Sequence, residues 1–225
     1  LDLKIFKADF IYENLQIQNN LIHGAHLSNI NDVMFMGSSC IYPKDSKQPI
    51  KEEYLLSDYL EETNEPYAIA KIAGLKMCQA YSEQYNRNYF SLMPTNLYGF
   101  GDEYDLNNSH VLPALLRKFH EAKISGAKKV EVWGTGEPKR EFLFVDDLAD
   151  ACLFLMESEF RSSHINIGTG KDISIMELAQ MIRNIVGFDG EIIFDSNKPN
   201  GTMRKLLDTS LINTLGWEAK TSLFN

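Results

Sequence analysis

The chain has 225 residues, 44% hydrophobic and 24% charged, with a formal net charge of −9. That length can bury a real core, as one large domain or a main domain beside a smaller one. The acidic balance speaks against a nucleic-acid binder, whose affinity rests on cations neutralising phosphates. No apolar run is long enough for a membrane helix, and no stretch reads as a charged-then-apolar leader. Cys40, Cys78 and Cys152 are odd in number and far apart, with no C-x-x-C. Neither a disulfide framework nor a metal site is expected, and a reducing, cytoplasmic setting is.

Apolar spacing predicts a helix over 8–29, carried by Phe10, Ile11, Leu15, Ile17, Leu21, Ile22 and Ala25. Asn31 and Asp32 break it, and Val33–Met36 is a short continuous apolar run, as expected of a strand buried on both faces. It ends in the small residues Gly37, Ser38, Ser39 and Cys40, at the sheet edge where ligands bind in open α/β folds. Residues 43–66 are polar and read as a surface loop, with the acidic surplus at 52–65 solvated. Pro66 launches a helix over 67–86.

Tyr89–Met93 reads as the next strand, closed by a polar turn from Pro94 to Gly99. A Gly/Asp/Asn-rich loop precedes a helix from about Val111 to Ala122. Val130–Trp133 and Arg140–Val145 read as strands, with Asp146 and Asp147 expected to cap a helix over 147–157. After the strand Ile165–Ile167, Ser174 with Glu177 makes a capping box for a helix over 175–186. Glu191–Phe194 and Lys205–Leu207 complete the strands. Alternating strands and helices predict an α/β fold with a mostly parallel sheet. There is no internal repeat, and no G-x-G-x-x-G phosphate turn.

Tyr67 and Lys71 are four residues apart, so they share a helical face. A neighbouring ammonium favours phenolate and is expected to lower the tyrosine pKa, giving a proton donor and acceptor for interconverting a ketone and an alcohol. The spacing alone is common in ordinary helices. Here Ser38 closes the strand before that helix, and Pro94 to Asn96 close the strand after it, so all lie on one edge of a parallel sheet.

A serine, tyrosine and lysine so arranged resemble the extended short-chain dehydrogenase/reductases. The strings GSSCIYP (37–43), NEPYAIAKIAG (64–74), MPTNLYG (93–99), SHVLPALLRKFHEA (109–122), WGTGEPKREFLFVDDLA (133–149), SHINIGTG (163–170) and RKLLD (204–208) narrow the resemblance to the GDP-L-fucose synthase family. It covers the chain from about Ala8 onwards. The family's glycine turn and the opening part of its fold do not occur, so the N-terminal part of the Rossmann-like domain is expected to be missing here.

The resemblance implies a doubly wound Rossmann-like parallel sheet with a smaller C-terminal α/β substrate domain. Residues 1–98, with 139–168 returning, would bind NADP(H); residues 99–138 and 169–225 would bind the GDP-sugar. It implies that Ser38 bonds the sugar 4-keto oxygen, that Tyr67 protonates it, and that Lys71 binds the nicotinamide ribose. Cys40 and His110 match an acid/base pair for epimerisation. Gly37, Ser38, Ser39, Lys71, Pro94, Thr95, Asn96, Leu97 and His110 would line the cofactor. Lys118, Trp133, Arg140 and Asn200 would hold the substrate, and Arg117, Arg204 and Lys205 join Lys118 and Arg140 as candidate phosphate-binding cations. A homodimer is expected, with 8–29 and 67–86 the candidate helix pair. Asn200 stands where the family commonly has an acidic residue, Lys118 replaces an arginine, and residues 1–7 do not match well. Two alternatives stand beside this reading: an enzyme acting on another GDP-4-keto sugar such as a 6-deoxy-heptose, and a non-catalytic GDP-sugar-binding remnant.

Overall fold

Residues 6–106 and 109–224 are described by a computed structural model. Three parallel strands, β1 (Asp32–Met36), β2 (Asn88–Pro94) and β6 (His164–Ile167), lie in the order β1-β2-β6. Successive side chains of central β2 point to opposite faces. Tyr89 packs with Ile22 of α1 (Lys7–Leu27) and Cys78 of α2 (Glu65–Tyr85), and Met93 packs with Ile72 and Leu75 of α2. Phe90 and Leu92 turn the other way, onto Leu148, Ala151 and Leu155 of α4 (Val145–Glu157) and Ile212 of α6 (Ser210–Thr214). Helices on both faces of a parallel sheet make the predicted doubly wound, Rossmann-like arrangement. Burying a side chain such as Phe90 or Leu92 contributes about 1.5–3 kcal/mol.

A second group of strands follows. β3 (Asn96–Tyr98), β7 (Asp172–Ser174) and β9 (Arg204–Lys205) all pair with β5 (Lys139–Phe144), β7 antiparallel and the others parallel. β4 (Lys129–Trp133) pairs in parallel with β8 (Glu191–Asp195). Between these strands and the helices α3 (Val111–Ser125) and α5 (Ile175–Val186), Leu115, Phe119, Val132, Leu178, Ile182 and Phe188 form a separate apolar core. The predicted capping box is present: Ser174 Oγ accepts from Glu177 N, and the Glu177 carboxylate accepts from Ser174 N. Gly187 ends α5 at φ 70°, a conformation that suits glycine.

Several expectations are corrected. β1 is an edge strand among the described residues, and Val33, Met34 and Phe35 are half-buried rather than fully enclosed. The stretch 43–66 is not wholly a surface loop. Ile50 is buried and bridges Leu207, and the Glu52 carboxylate accepts from Asn166 N at 3.0 Å. The turn expected over Pro94–Gly99 contains β3, because its backbone groups find partners on β5. Asp147 does not cap α4. Its carboxylate is buried and accepts from Lys220 N at 3.1 Å and Thr221 N at 2.8 Å, so it ties the C-terminal segment to the helix.

Candidate active site

β1 delivers Ser38 and Cys40 to the carboxyl edge of the sheet. Ser38 is extended and caps a 3-10 turn, Ser39–Ile41, by accepting from Cys40 N at 3.2 Å. The turn folds Cys40 back beside the serine. Tyr67 is in the first turn of α2, which Pro66 helps to start. Burial, and then the charge of Cys40, push the Tyr67 phenol above the ordinary tyrosine range, while a hydrogen bond with Ser38 pulls it down. The structure therefore groups Ser38, Cys40 and Tyr67.

The expected lowering of the Tyr67 pKa by Lys71 is not what the geometry produces. Lys71 Nζ donates to the Met36 carbonyl at 3.0 Å and lies 5.6 Å from the centre of the Tyr67 ring and 5.0 Å from that of Phe35. The ammonium meets ring faces and a backbone oxygen, and burial lowers its own pKa. Burial and the charge of Cys40 keep Tyr67 as a phenol, able to give a proton rather than to take one.

Cys40 has a neighbour from far along the chain. Lys205 Nζ lies 3.4 Å from Cys40 Sγ. Burial pushes the thiol up, but the Lys205 charge and hydrogen bonds from Ser38 and Lys205 outweigh it, and the thiol sits below its ordinary range. Cys40, Arg204 and Lys205 line one small cavity with Tyr42 and Thr202. His110 is exposed at the N-cap of α3 and bonds neither Cys40 nor Tyr67. It lies two residues after 107–108, which are outside the described residues.

Of the other candidates, Trp133 is 54% exposed at the end of β4, with Lys118 Nζ 5.3 Å and Lys198 Nζ 5.1 Å from its ring. Lys118 also donates to the Glu131 carbonyl. The Arg140 guanidinium, its pKa lowered by burial, has no carboxylate partner among the described residues and donates to the Lys139 carbonyl. Arg204, by contrast, is paired with Asp172 at 2.5 Å, and Arg117 with Glu121 at 2.7 Å. Asn200 Oδ1 accepts from Thr135 N at 2.8 Å, which closes the turn after β4.

The stretch Pro94–Leu97 crosses from β2 to β3. Thr95 Oγ1 and Asn96 Nδ2 both donate to the Glu141 carbonyl, at 3.2 and 2.8 Å, and Leu97 packs into the core, so these side chains hold the backbone in place. Gly37 is required by packing: a Cβ there would lie 2.9 Å from the backbone carbonyl oxygen of Leu92. Ser39 is buried. Among the described residues Lys71 makes one hydrogen bond, and an ammonium has three donors, so two remain for ligand oxygens. The residues present fit the ribose and nicotinamide end of a dinucleotide, and Lys71 is the side chain that would hold it.

Reasoning from sequence missed Lys198 beside Trp133, the contact of Lys205 with Cys40, and the role of Glu141. The buried Glu141 carboxylate accepts from Thr169 N and Gly170 N at 2.7 Å and from Leu207 N at 3.0 Å. Lys205 and Cys40 are 165 positions apart, and no local pattern announces such a pair.

A tyrosine and lysine on the helix after a sheet-edge serine define a nicotinamide-dependent enzyme of the short-chain dehydrogenase/reductase class. The chain belongs to the NAD dependent epimerase/dehydratase family, whose profile matches residues 5–168. It is 54% identical to GDP-L-fucose synthase of Escherichia coli, over 97% of this chain and 71% of that protein. It is 56% identical to GDP-L-fucose synthase 1 of Arabidopsis thaliana, over 97% and 68%. Among solved structures, a GDP-D-glycero-L-gluco-heptose synthase from Campylobacter jejuni, crystallised in the presence of NADPH, is 43% identical, with a TM-score of 0.88 over 98% of this chain and 74% of that one. A GDP-L-fucose synthetase from Naegleria fowleri bound to NADP is 28% identical, with a TM-score of 0.90 over 98% and 70%.

Proposed function

We infer that this chain catalyses the NADPH-dependent 3,5-epimerisation and 4-keto reduction of GDP-4-keto-6-deoxy-D-mannose to GDP-L-fucose. The observation that carries the reading is the grouping of Ser38, Cys40 and Tyr67 at one sheet edge, in a chain 54% identical to a GDP-L-fucose synthase over 97% of its length.

The chemistry needs two abilities at one site. A 4-ketone acidifies the hydrogens on C3 and C5, because the electron pair left behind delocalises into an enolate. Cys40 takes a proton from one face and His110 returns one to the other. Ser38 and Tyr67 donate to the enolate oxygen. When bound, NADPH would supply the hydride for the reduction at C4. Tyr67 would give its phenolic proton to the oxygen, Lys71 would hold the cofactor ribose, and Pro94–Leu97 would line the nicotinamide end.

Substrate is held at a distance from these groups. Trp133 offers its face to the guanine, and Lys118 and Arg140 take the diphosphate, Arg140 by a two-pronged contact. Residues 1–98 and 139–168 serve the cofactor, and 99–138 and 169–225 the GDP-sugar. The chain works as a homodimer through α1 and α2, on the surface of which Ile17 is 61% and Leu21 69% exposed. Light scattering of the native protein checks this; a monomer at working concentration overturns it. The setting is cytoplasmic, in keeping with three free cysteines.

The test is product analysis by NMR with NADPH and GDP-4-keto-6-deoxy-D-mannose. GDP-L-fucose is the expected product. A second reading, in which the sugar is a GDP-4-keto-6-deoxy-heptose, has weaker support from the 43% identical heptose enzyme, and turnover of that substrate alone would establish it. No turnover of either, with no NADPH binding by fluorescence titration, would leave a GDP-sugar-binding protein.

A further inference from the structure

We propose that Lys205 is a positioning residue that holds Cys40 as a thiolate for carbon-proton transfer, and not a contact to substrate phosphate. The proposal rests on the epimerisation assigned above and deepens it. Lys205 Nζ lies 3.4 Å from Cys40 Sγ and has no carboxylate partner among the described residues.

Both members of the pair are fixed by backbone bonds. Lys205 is paired with Arg140 on β5. Immediately after it, Leu206 N donates to Gln48 Oε1 at 2.9 Å and Leu207 N to Glu141 Oε2 at 3.0 Å, while Ile50 N donates to the Leu206 carbonyl at 2.7 Å. Cys40 is held by the turn that Ser38 caps. The pair therefore does not depend on a flexible loop.

The other charged groups around Cys40 are already engaged. Lys44 pairs with Glu61 at 3.2 Å and Arg204 with Asp172 at 2.5 Å, while Tyr67 faces the thiol as a neutral phenol. Lys205 is the cation left to the sulfur. The direction of the thiol pKa agrees: burial pushes it up, Lys205 and Ser38 pull it down further, and the balance lies below the ordinary range. In the transfer the C–H bond at C3 or C5 breaks and S–H forms. The electron pair moves to the 4-keto oxygen, Lys205 keeps its proton, and solvent later resets the thiol.

The experiment is alkylation of Cys40 by iodoacetamide in the full chain without substrate, followed by peptide mass spectrometry from about pH 5 to about pH 10. Wild type is expected to react with a midpoint below the ~8.5 of a free thiol. Lys205→Met raises that midpoint by about one unit or more, and Lys205→Arg keeps it low. Lys205→Gln serves if the methionine variant fails to fold by circular dichroism. With substrate, Lys205→Met lowers kcat for hydrogen exchange at C3 and C5 about tenfold and leaves KM nearly unchanged. An unmoved midpoint, a wild-type Cys40 inert over the whole range, or a raised KM with unchanged kcat would each overturn the proposal. The titration is read without turnover, so its failure is distinct from failure of wild type to make GDP-L-fucose.

Discussion

Lys71 stands 5.6 Å from the centre of the Tyr67 ring, but its hydrogen bond goes to the Met36 carbonyl at 3.0 Å. The ammonium is thus anchored to the last residue of β1 and presented to whatever lies above the sheet edge. The phenol, raised by burial and by the neighbouring Cys40, remains protonated at neutral pH. Tyr67→Phe should lower ketone reduction about 10²–10⁴-fold, the range of a lost general acid, while GDP-sugar binding persists. NADPH oxidation and calorimetric titration measure the two; a variant that still reduces at the wild-type rate would remove Tyr67 from the reaction.

Cys40→Ser and His110→Gln should each slow deuterium incorporation at C3 and C5. Serine cannot supply a comparable anion near neutral pH, and glutamine cannot carry a proton. Exchange followed by NMR in D₂O without NADPH isolates this step from reduction. Unchanged exchange in both variants would overturn the acid/base assignment.

Glu141 joins three places that are distant in sequence, through bonds to Thr169 N, Gly170 N and Leu207 N. A carboxylate accepts at both oxygens, whereas an amide turns one of them into a donor. Glu141→Gln should therefore lose about 1–3 kcal/mol of stability, since a buried N–H is left facing another N–H. Urea denaturation measures it, and a loss below a few tenths of a kcal/mol would show that the three bonds are dispensable. Because Leu207 follows closely on Lys205, the variant should also weaken the hold on Cys40.

His164 is half-buried between Ser163 and the Glu52 carbonyl, with Nε2 3.1 Å from that oxygen. Burial lowers its pKa below the ordinary value, with the charge of Lys76 adding to it and the Glu52 carbonyl opposing. As pH falls through about 6.5 the unfolded chain takes up a proton before the folded one does. Stability should therefore decline from about pH 6.5 downwards until the folded-state pKa is passed. Urea midpoints across that window should show the slope, and His164→Gln should flatten it. A slope equal in both proteins would place its origin in other groups.

Much was legible from local pattern. The period of apolar residues marks α2, α3 and α5, and Ser174 with Glu177 marks a cap, because those features depend on neighbours three or four positions away. Ser38, Tyr67 and Lys71 were legible too, since strand-then-helix order places them on one edge. The fine chemistry was not. Spacing puts Lys71 and Tyr67 on one face of a helix, but the packing of Phe35 and the carbonyl of Met36 direct the ammonium, and burial and Cys40 set the sign of the phenol's shift. Asp147 has the composition of a helix cap, yet it bonds Lys220 N and Thr221 N because the chain returns there. The cation beside Cys40 arrives from β9 through a strand pairing with β5. Hydrogen bonds and charge act over a few ångströms of space, whatever the separation along the chain. Local order therefore names the groups at this site, and the fold determines which of them share a proton.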